Sequence, residues 1–159
     1  MRVGQGIDVH RFAASGTRSL VLGGVEIPGE PGLEGHSDAD VVLHAVVDAL
    51  LGAVALGDLG ARFGTDQPAY AGASSSVFVA EALRLIVHAG WAVTNVDCTI
   101  IAARPRIAPH RLRITTRLAA LLGISSQAVS VKATTTDGLG MIGRGEGIAC
   151  LAVALLQPR

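Results

Sequence analysis

The chain has 159 residues, of which 50% are hydrophobic and 16% charged. That excludes a disordered polar segment and suits one compact α/β domain over residues 1–159. Thirteen basic residues balance thirteen acidic ones with no basic block, so no nucleic-acid partner is expected. No apolar run reaches the roughly 18–20 residues of a membrane span, and no secretory leader is recognisable. No membrane association is expected, and the cytoplasm is the expected compartment.

In chain order, Arg2–Phe12 reads as a strand. Ser19–Ile27 reads as a second strand, interrupted at Gly23-Gly24, and the loop-like residues between the two predict a hairpin-like pair. Pro28–Gly35 has loop composition. Ser37 or Asp38 is expected to cap a helix running to about Leu56, its apolar residues at helical spacing. Gly57–Gly72 looks irregular. Ala73–Ala89 is a second amphipathic helix ended by Gly90, and Trp91–Ala102 is a strand containing Cys98. After Arg104-Pro105-Arg106 a third helix runs from about Pro109 to Leu122. Val129–Ala133 is a short strand leading into a glycine-rich loop. The last strand, Gly147–Leu156, is apolar on both faces, so it should be central or interfacial. It contains Cys150, which like Cys98 is expected to be a small buried hydrophobe.

Several stretches carry chemistry. In "GIDVH" (6–10), Asp8 and His10 lie two apart on a strand and so share a face. The helix that follows sets Asp40, His44 and Asp48 at i, i+4, i+8 on one side. His44 could complete a two-His, one-carboxylate metal site with an open position, as in catalytic zinc centres, with Asp40 or Asp48 orienting it. On spacing alone, a capped Asp and a core His fit equally well; the polar stripe on an apolar helix favours ligands. His36 and Ser37 precede that helix, where amides favour an anion but a plain capping loop is equally served. Asp58, between two glycines, suits a sugar diol or an ordinary turn. The loop 102–110 can read a base through main-chain groups or simply be solvated. The loop 132–147 offers glycines, three threonines, Asp137 and Arg144 for phosphates and magnesium, or a glycine-rich turn with an Arg–Glu pair.

The motifs "GIDVH", "GHSDADVVLHAVVDALLGA", "LGDLG", "NVDCTIIA", "VKATTTDGLG" and "GRGEGIA" follow one another along nearly the whole chain. In this it resembles the 2-C-methyl-D-erythritol 2,4-cyclodiphosphate synthases of non-mevalonate isoprenoid synthesis. The resemblance implies an α+β fold with a single mixed four-stranded sheet, helices on one face and an extra N-terminal hairpin, assembled as a homotrimer. It implies a phosphorus–oxygen lyase that converts 4-diphosphocytidyl-2-C-methyl-D-erythritol 2-phosphate to the cyclic diphosphate and releases CMP. By resemblance, Asp8, His10 and His44 bind zinc, and Asp137 meets magnesium or manganese at the diphosphate. His36 and Thr135 stabilise the transition state.

The implied substrate contacts extend from Asp8, Val9 and His10 through His36 and Ser37 to Asp58, Leu59 and Gly60. The cytosine pocket would be Ala102, Ala103, Arg104, Pro105, Arg106, Ile107 and Ala108. Lys132, Thr134, Thr135, Thr136 and Asp137 would hold the diphosphate, with Met141 and Arg144 closing that side. Active sites would lie between subunits, and a central cavity could hold an isoprenoid diphosphate near Arg144. Three departures stand out. Asp137 replaces a frequent Glu, Arg106 replaces a frequent Lys, and "FGTDQP" (63–68) lacks the usual "FPDTDP", so Asp66 carries no assignment. A metal phosphodiesterase and a zinc-stabilised carrier of isoprenoid diphosphates are the competing readings.

Overall fold

The computed structural model describes residues 1–14, 18–64 and 72–159. Asp66 and most of the atypical 63–68 stretch lie outside them. A four-stranded sheet has the order β1 (Arg2–Arg11), β6 (Gly147–Pro158), β4 (Trp91–Ile101), β5 (Val129–Thr134). β6 runs antiparallel to both neighbours, and β4 and β5 are parallel. The helix α4 (Arg111–Leu122) supplies the crossover that parallel strands require. β6 is central, as its two-sided apolar pattern predicts.

The expected pairing of β1 with the 19–27 run does not occur, because β1 takes β6 as its partner. The 19–27 run is itself folded in two. β2 (Ser19–Leu22) and β3 (Val25–Pro31) pair antiparallel about Gly23 and Gly24. Both glycines have positive φ (61° and 74°), as a two-residue hairpin turn matched to strand twist requires. β3 therefore reaches into the stretch that composition assigns to loop.

The helix α1 (Val41–Ala53) is buried on nearly every side. Its N-cap is Asp40, not Ser37 or Asp38. Ala39 takes a positive φ of 55°, which ends the preceding loop and delays the helix. Fully buried, Asp40 accepts from Val42 and Leu43 amides at 3.0 and 3.1 Å, and from Gly23 and Gly24 amides at 2.8 and 2.6 Å. Burial pushes its carboxyl up to about 6, against the pull of those N–H donors. Asp40 thus ties the helix start to the hairpin turn. Asp40→Ala would leave buried donors unpaired and is expected to cost about 3 kcal/mol in urea unfolding.

α1 lies antiparallel along β1, and small residues set the separation. A Cβ at Gly4 would lie 1.9 Å from the Ala49 carbonyl oxygen, and one at Gly6 would lie 2.0 Å from that of Ala45. Two strand residues advance about 6.8 Å and four helix residues about 6 Å. The glycines therefore step in phase with Ala53, Ala49 and Ala45. Asp8, the next residue on that face, meets the next side chain along the helix, His44.

α3 (Ser76–His88) and α4 complete a helical layer on the same side as α1. Cys98 and Cys150 are free and buried beneath it. The opposite face of the sheet is open and apolar along β1 and β6. There Val3, Ile7, Val9 and Val153 are 66%, 55%, 42% and 41% exposed, with Ile7 beside Leu151 and Val3 beside Leu155.

Candidate metal centre and phosphate clefts

Asp8 and His10 project from β1 toward the N-terminal half of α1, where His44 interrupts the apolar surface. The three ligand atoms converge. His10 Nε2 lies 2.9 Å and His44 Nδ1 3.0 Å from Asp8 Oδ2, and the two nitrogens are 3.2 Å apart. A tetrahedral zinc with bonds of about 2.0–2.1 Å separates its ligand atoms by about 3.3 Å. The donor set and spacing fit such an ion.

The other ring nitrogens are held from outside. His10 Nδ1 donates to the Glu34 carbonyl at 2.6 Å, and His44 Nε2 faces Ser75 Oγ at 2.9 Å and Ser37 Oγ at 3.2 Å. His10 thereby turns Nε2 to the cluster, where the neutral ring offers a lone pair. Burial works against the charge on Asp8, but the two imidazoles beside it outweigh that and hold the carboxyl well below its usual range. Burial likewise opposes charge on His10, but Asp8 overrides it and raises the imidazole. The centre favours positive charge.

These residues line a cleft of about 320 Å³ together with His36, Ser37, Asp48, Leu59, Gly60 and Phe78. The loop carrying His36 and Ser37 is braced by Arg18. Its guanidinium donates to the carbonyls of Leu33 at 3.0 Å, Gly35 at 2.9 Å and Ser37 at 2.5 Å. The expected irregular stretch after α1 contains a short helix, α2 (Leu59–Phe63), with Asp58 as its N-cap accepting from Ala61 N at 2.7 Å. Asp48 accepts from Leu59 N at 2.7 Å and so docks α2 on α1. Neither Asp48 nor Asp40 orients His44, contrary to the expectation from their spacing. One side chain is engaged by α2 and the other by the α1 cap. The hydroxyl beside His44 Nε2 is instead that of Ser75, which also meets Asp38.

The remaining residues of interest lie elsewhere on the chain. Ala102, Ala103, Pro105, Arg106, Ile107, Ala108, Thr134 and Thr135 line a separate cleft of about 230 Å³ that shares no residue with the first. Arg104 pairs with Glu30 at 3.0 Å and lies over the Phe12 ring. Beyond β5, Thr135 Oγ1 donates to Asp137 Oδ1 at 3.1 Å, and Asp137 takes a positive φ of 52°. Thr136 Oγ1 donates to Leu139 O at 2.7 Å, just before the short helix α5 (Gly140–Gly143). Arg144 pairs with Glu146 at 2.6 Å, which was the structural alternative for that motif. Lys132 pairs with Asp97 on the open face of the sheet, the face that also carries Val9. Met141 is exposed and borders a small pocket with Val9 and Arg11.

A match to the YgbB family spans residues 1–157. The chain belongs to the YgbB family. It is 55% identical to the 2-C-methyl-D-erythritol 2,4-cyclodiphosphate synthase of Erwinia tasmaniensis, over 98% of both chains. Its fold is similar to that of the bifunctional IspDF of Campylobacter jejuni, with a TM-score of 0.94 at 35% identity. That alignment covers 99% of this chain and 42% of that longer one. It is also similar to a CDP complex of IspF from Plasmodium falciparum, with a TM-score of 0.86 at 34% identity over 99% of this chain and 96% of that one. Among the described residues, no helix of this YgbB chain is long and apolar enough to cross a membrane.

Four residues escape a reading of motifs. Arg18, Ser75, Asp38 and the Glu34 carbonyl all act on the site from outside it. Arg18 sits in a loop-like run, Ser75 in a serine triplet that reads as helix entry, and a carbonyl has no sequence signal. Asp38 was legible only as a possible cap.

Proposed function

We propose that this chain, as one domain over residues 1–159, converts 4-diphosphocytidyl-2-C-methyl-D-erythritol 2-phosphate to 2-C-methyl-D-erythritol 2,4-cyclodiphosphate and CMP. The observation that carries the reading is the convergence of Asp8, His10 and His44 in a cleft edged by His36 and Ser37, in a YgbB chain. An oxygen of the 2-phosphate attacks the β-phosphorus. The bond from that phosphorus to the oxygen bridging to the α-phosphate breaks, and CMP leaves with the electron pair. No covalent enzyme intermediate is needed, so the chain's work is positioning and charge neutralisation.

Asp8, His10 and His44 would hold zinc, which as a Lewis acid fixes and polarises a phosphate oxygen. His36 and Ser37, braced by Arg18, meet the methylerythritol phosphate portion; Val9, whose side chain lies on the open face of the sheet, would contribute through its backbone. The α2 entry at Asp58, Leu59 and Gly60 holds the hydroxyls. The cleft at Ala102–Ala108, with Arg104 and Arg106, takes the cytidine. Lys132, Thr134, Thr135 and Thr136 clamp the diphosphate, with His36 and Thr135 stabilising its transition-state charge. Asp137 would hold magnesium or manganese there, and Met141 and Arg144 close that side.

The zinc cleft and the cytidine cleft share no lining residue, which supports a site completed between chains. The apolar open face of β1 and β6 supports a homotrimer whose sheets face one another. The same face supports a central cavity able to take an isoprenoid diphosphate. The balance of charge accords with a cytoplasmic enzyme.

Incubation with the cytidine diphosphate substrate, zinc and magnesium, followed by phosphorus NMR, is expected to show a cyclic diphosphate and stoichiometric CMP. A linear phosphate product would favour the phosphodiesterase reading, and no turnover with retained isoprenoid diphosphate binding would favour the carrier.

A further inference from the structure

We propose that Ser75, held by Asp38, is a positioning residue for the metal centre: it fixes the ring of His44 with its proton on Nε2 and its lone pair on Nδ1. The inference rests on reading Asp8, His10 and His44 as metal ligands and concerns what holds that site in its binding form.

Hydrogen-bond direction carries the argument. Ser75 Oγ touches an Asp38 carboxylate oxygen and lies 2.9 Å from His44 Nε2. A carboxylate has no hydrogen to give, and a hydroxyl has one. The Ser75 hydrogen therefore goes to Asp38, and its oxygen can only accept from the ring. Were Nε2 unprotonated, two lone pairs would face each other at 2.9 Å. His44 thus carries its hydrogen on Nε2 and turns a free Nδ1 toward Asp8 and His10. The Ser37 hydroxyl, 3.2 Å from Nε2 and 3.3 Å from Ser75 Oγ, fits the same order by giving its hydrogen to Ser75.

Asp38 is itself fixed. Its second oxygen accepts from the Ser75 amide at 2.9 Å, and its own amide donates to the Ala73 carbonyl at 3.0 Å. The Gly72 amide donates to the His36 carbonyl at 2.8 Å. The loop that precedes α1 is thereby zipped to the entry of α3.

The placement of Ser75 points the same way. It is the N-cap residue of α3, where a serine hydroxyl ordinarily accepts from an amide of the first helical turn. Here it makes no such bond, and it is fully buried. The hydroxyl is turned away from its own helix toward His44 and Asp38. A capping role leaves that orientation unexplained, whereas an outer partner that fixes a ligating imidazole accounts for it.

Replacement of Asp38 by Asn separates this from simple packing. Either orientation of the Asn amide sets its NH₂ against a backbone N–H, that of Ser75 or that of Asp40, which now donate to the two carboxylate oxygens at 2.9 and 3.2 Å. The acceptor that takes the Ser75 hydrogen is thereby weakened or displaced, and the hydroxyl is released to point its hydrogen at His44 Nε2 and oppose the tautomer that binds metal. Zinc affinity, measured by competition with a chromophoric chelator, is expected to fall ten- to a hundredfold in Ser75→Ala and at least as far in Asp38→Asn. Ser74→Ala, at the exposed neighbouring serine, is expected to match wild type. In the zinc-loaded wild-type protein the His44 Nε2 proton should give a protected downfield resonance, lost to exchange in Ser75→Ala. Should Ser75→Ala fail to fold, Asp38→Asn carries the test. Wild-type zinc affinity in the folded variants, with the resonance retained in Ser75→Ala, would overturn the inference. Failure of the wild-type chain to bind zinc would instead overturn the metal reading beneath it.

Discussion

His44→Ala is expected to abolish zinc binding at stoichiometric metal and to reduce CMP release by about a thousandfold or more, while the fold and the wild-type oligomeric state, whatever its order, persist. Two of three protein ligands would remain, both on β1, with none left on the helix to close the centre. The several kcal/mol of charge stabilisation that a bound metal supplies to a reacting phosphate would go with it. The fold should tolerate the change. His44 lies on the stripe of α1 that faces the cleft, where its apolar contact is an edge-on one with Phe78, and alanine is the better helix former. The chain's anchoring contacts lie elsewhere, in Asp40 and the apolar faces of α1. Metal analysis, sizing chromatography and a CMP assay on one preparation test all three parts. Full zinc occupancy in the folded variant would sink the ligand assignment. Loss of assembly alone would show that the centre also serves the interface.

How far the sequence led can be judged residue by residue. The strand–helix–strand order was legible because period-2 and period-3.6 patterns are local, and the place of β6 followed from its two-sided apolar run. The metal cluster was legible because a polar stripe on an apolar helix is costly unless the groups have partners. Its partners were not legible, because they come through tertiary contacts. Asp40 and Asp48 share a helical face with His44, yet one is drawn to the Gly23-Gly24 turn and the other to the α2 entry. Ser75 arrives from 31 residues along the chain. The early hairpin was misread for a similar reason. Gly23-Gly24 reads as an interruption of one strand until β6, from the far end of the chain, claims β1.

The geometry of the Asp8–His10–His44 cluster depends on how closely α1 can lie on β1, and this is where a single methyl should matter most. Gly6→Ala would set a Cβ 2.0 Å from the Ala45 carbonyl oxygen and 2.8 Å from the Ala49 amide nitrogen. Both are helix backbone, which cannot swing aside as a side chain can, so α1 must lift by about 1 Å or more in an interior packed to crystal-like density. Overpacking of that kind costs about 3 kcal/mol, measurable as a lower urea midpoint. The lift acts directly on the centre, because Ala45 is next to His44. Separating His44 Nδ1 from Asp8 Oδ2, now 3.0 Å apart, by even half an ångström exceeds the roughly 0.2 Å tolerance of metal–ligand distances. Zinc affinity should therefore fall along with stability. Gly4→Ala provides the contrast. Its Cβ would meet Ala49 and Ala53, further along the helix from His44. It should destabilise the fold by a similar amount but reduce zinc affinity less. Equal zinc loss in both variants would show that the centre responds to global stability. Wild-type stability and affinity in Gly6→Ala would show that the glycines do not set the spacing between helix and strand.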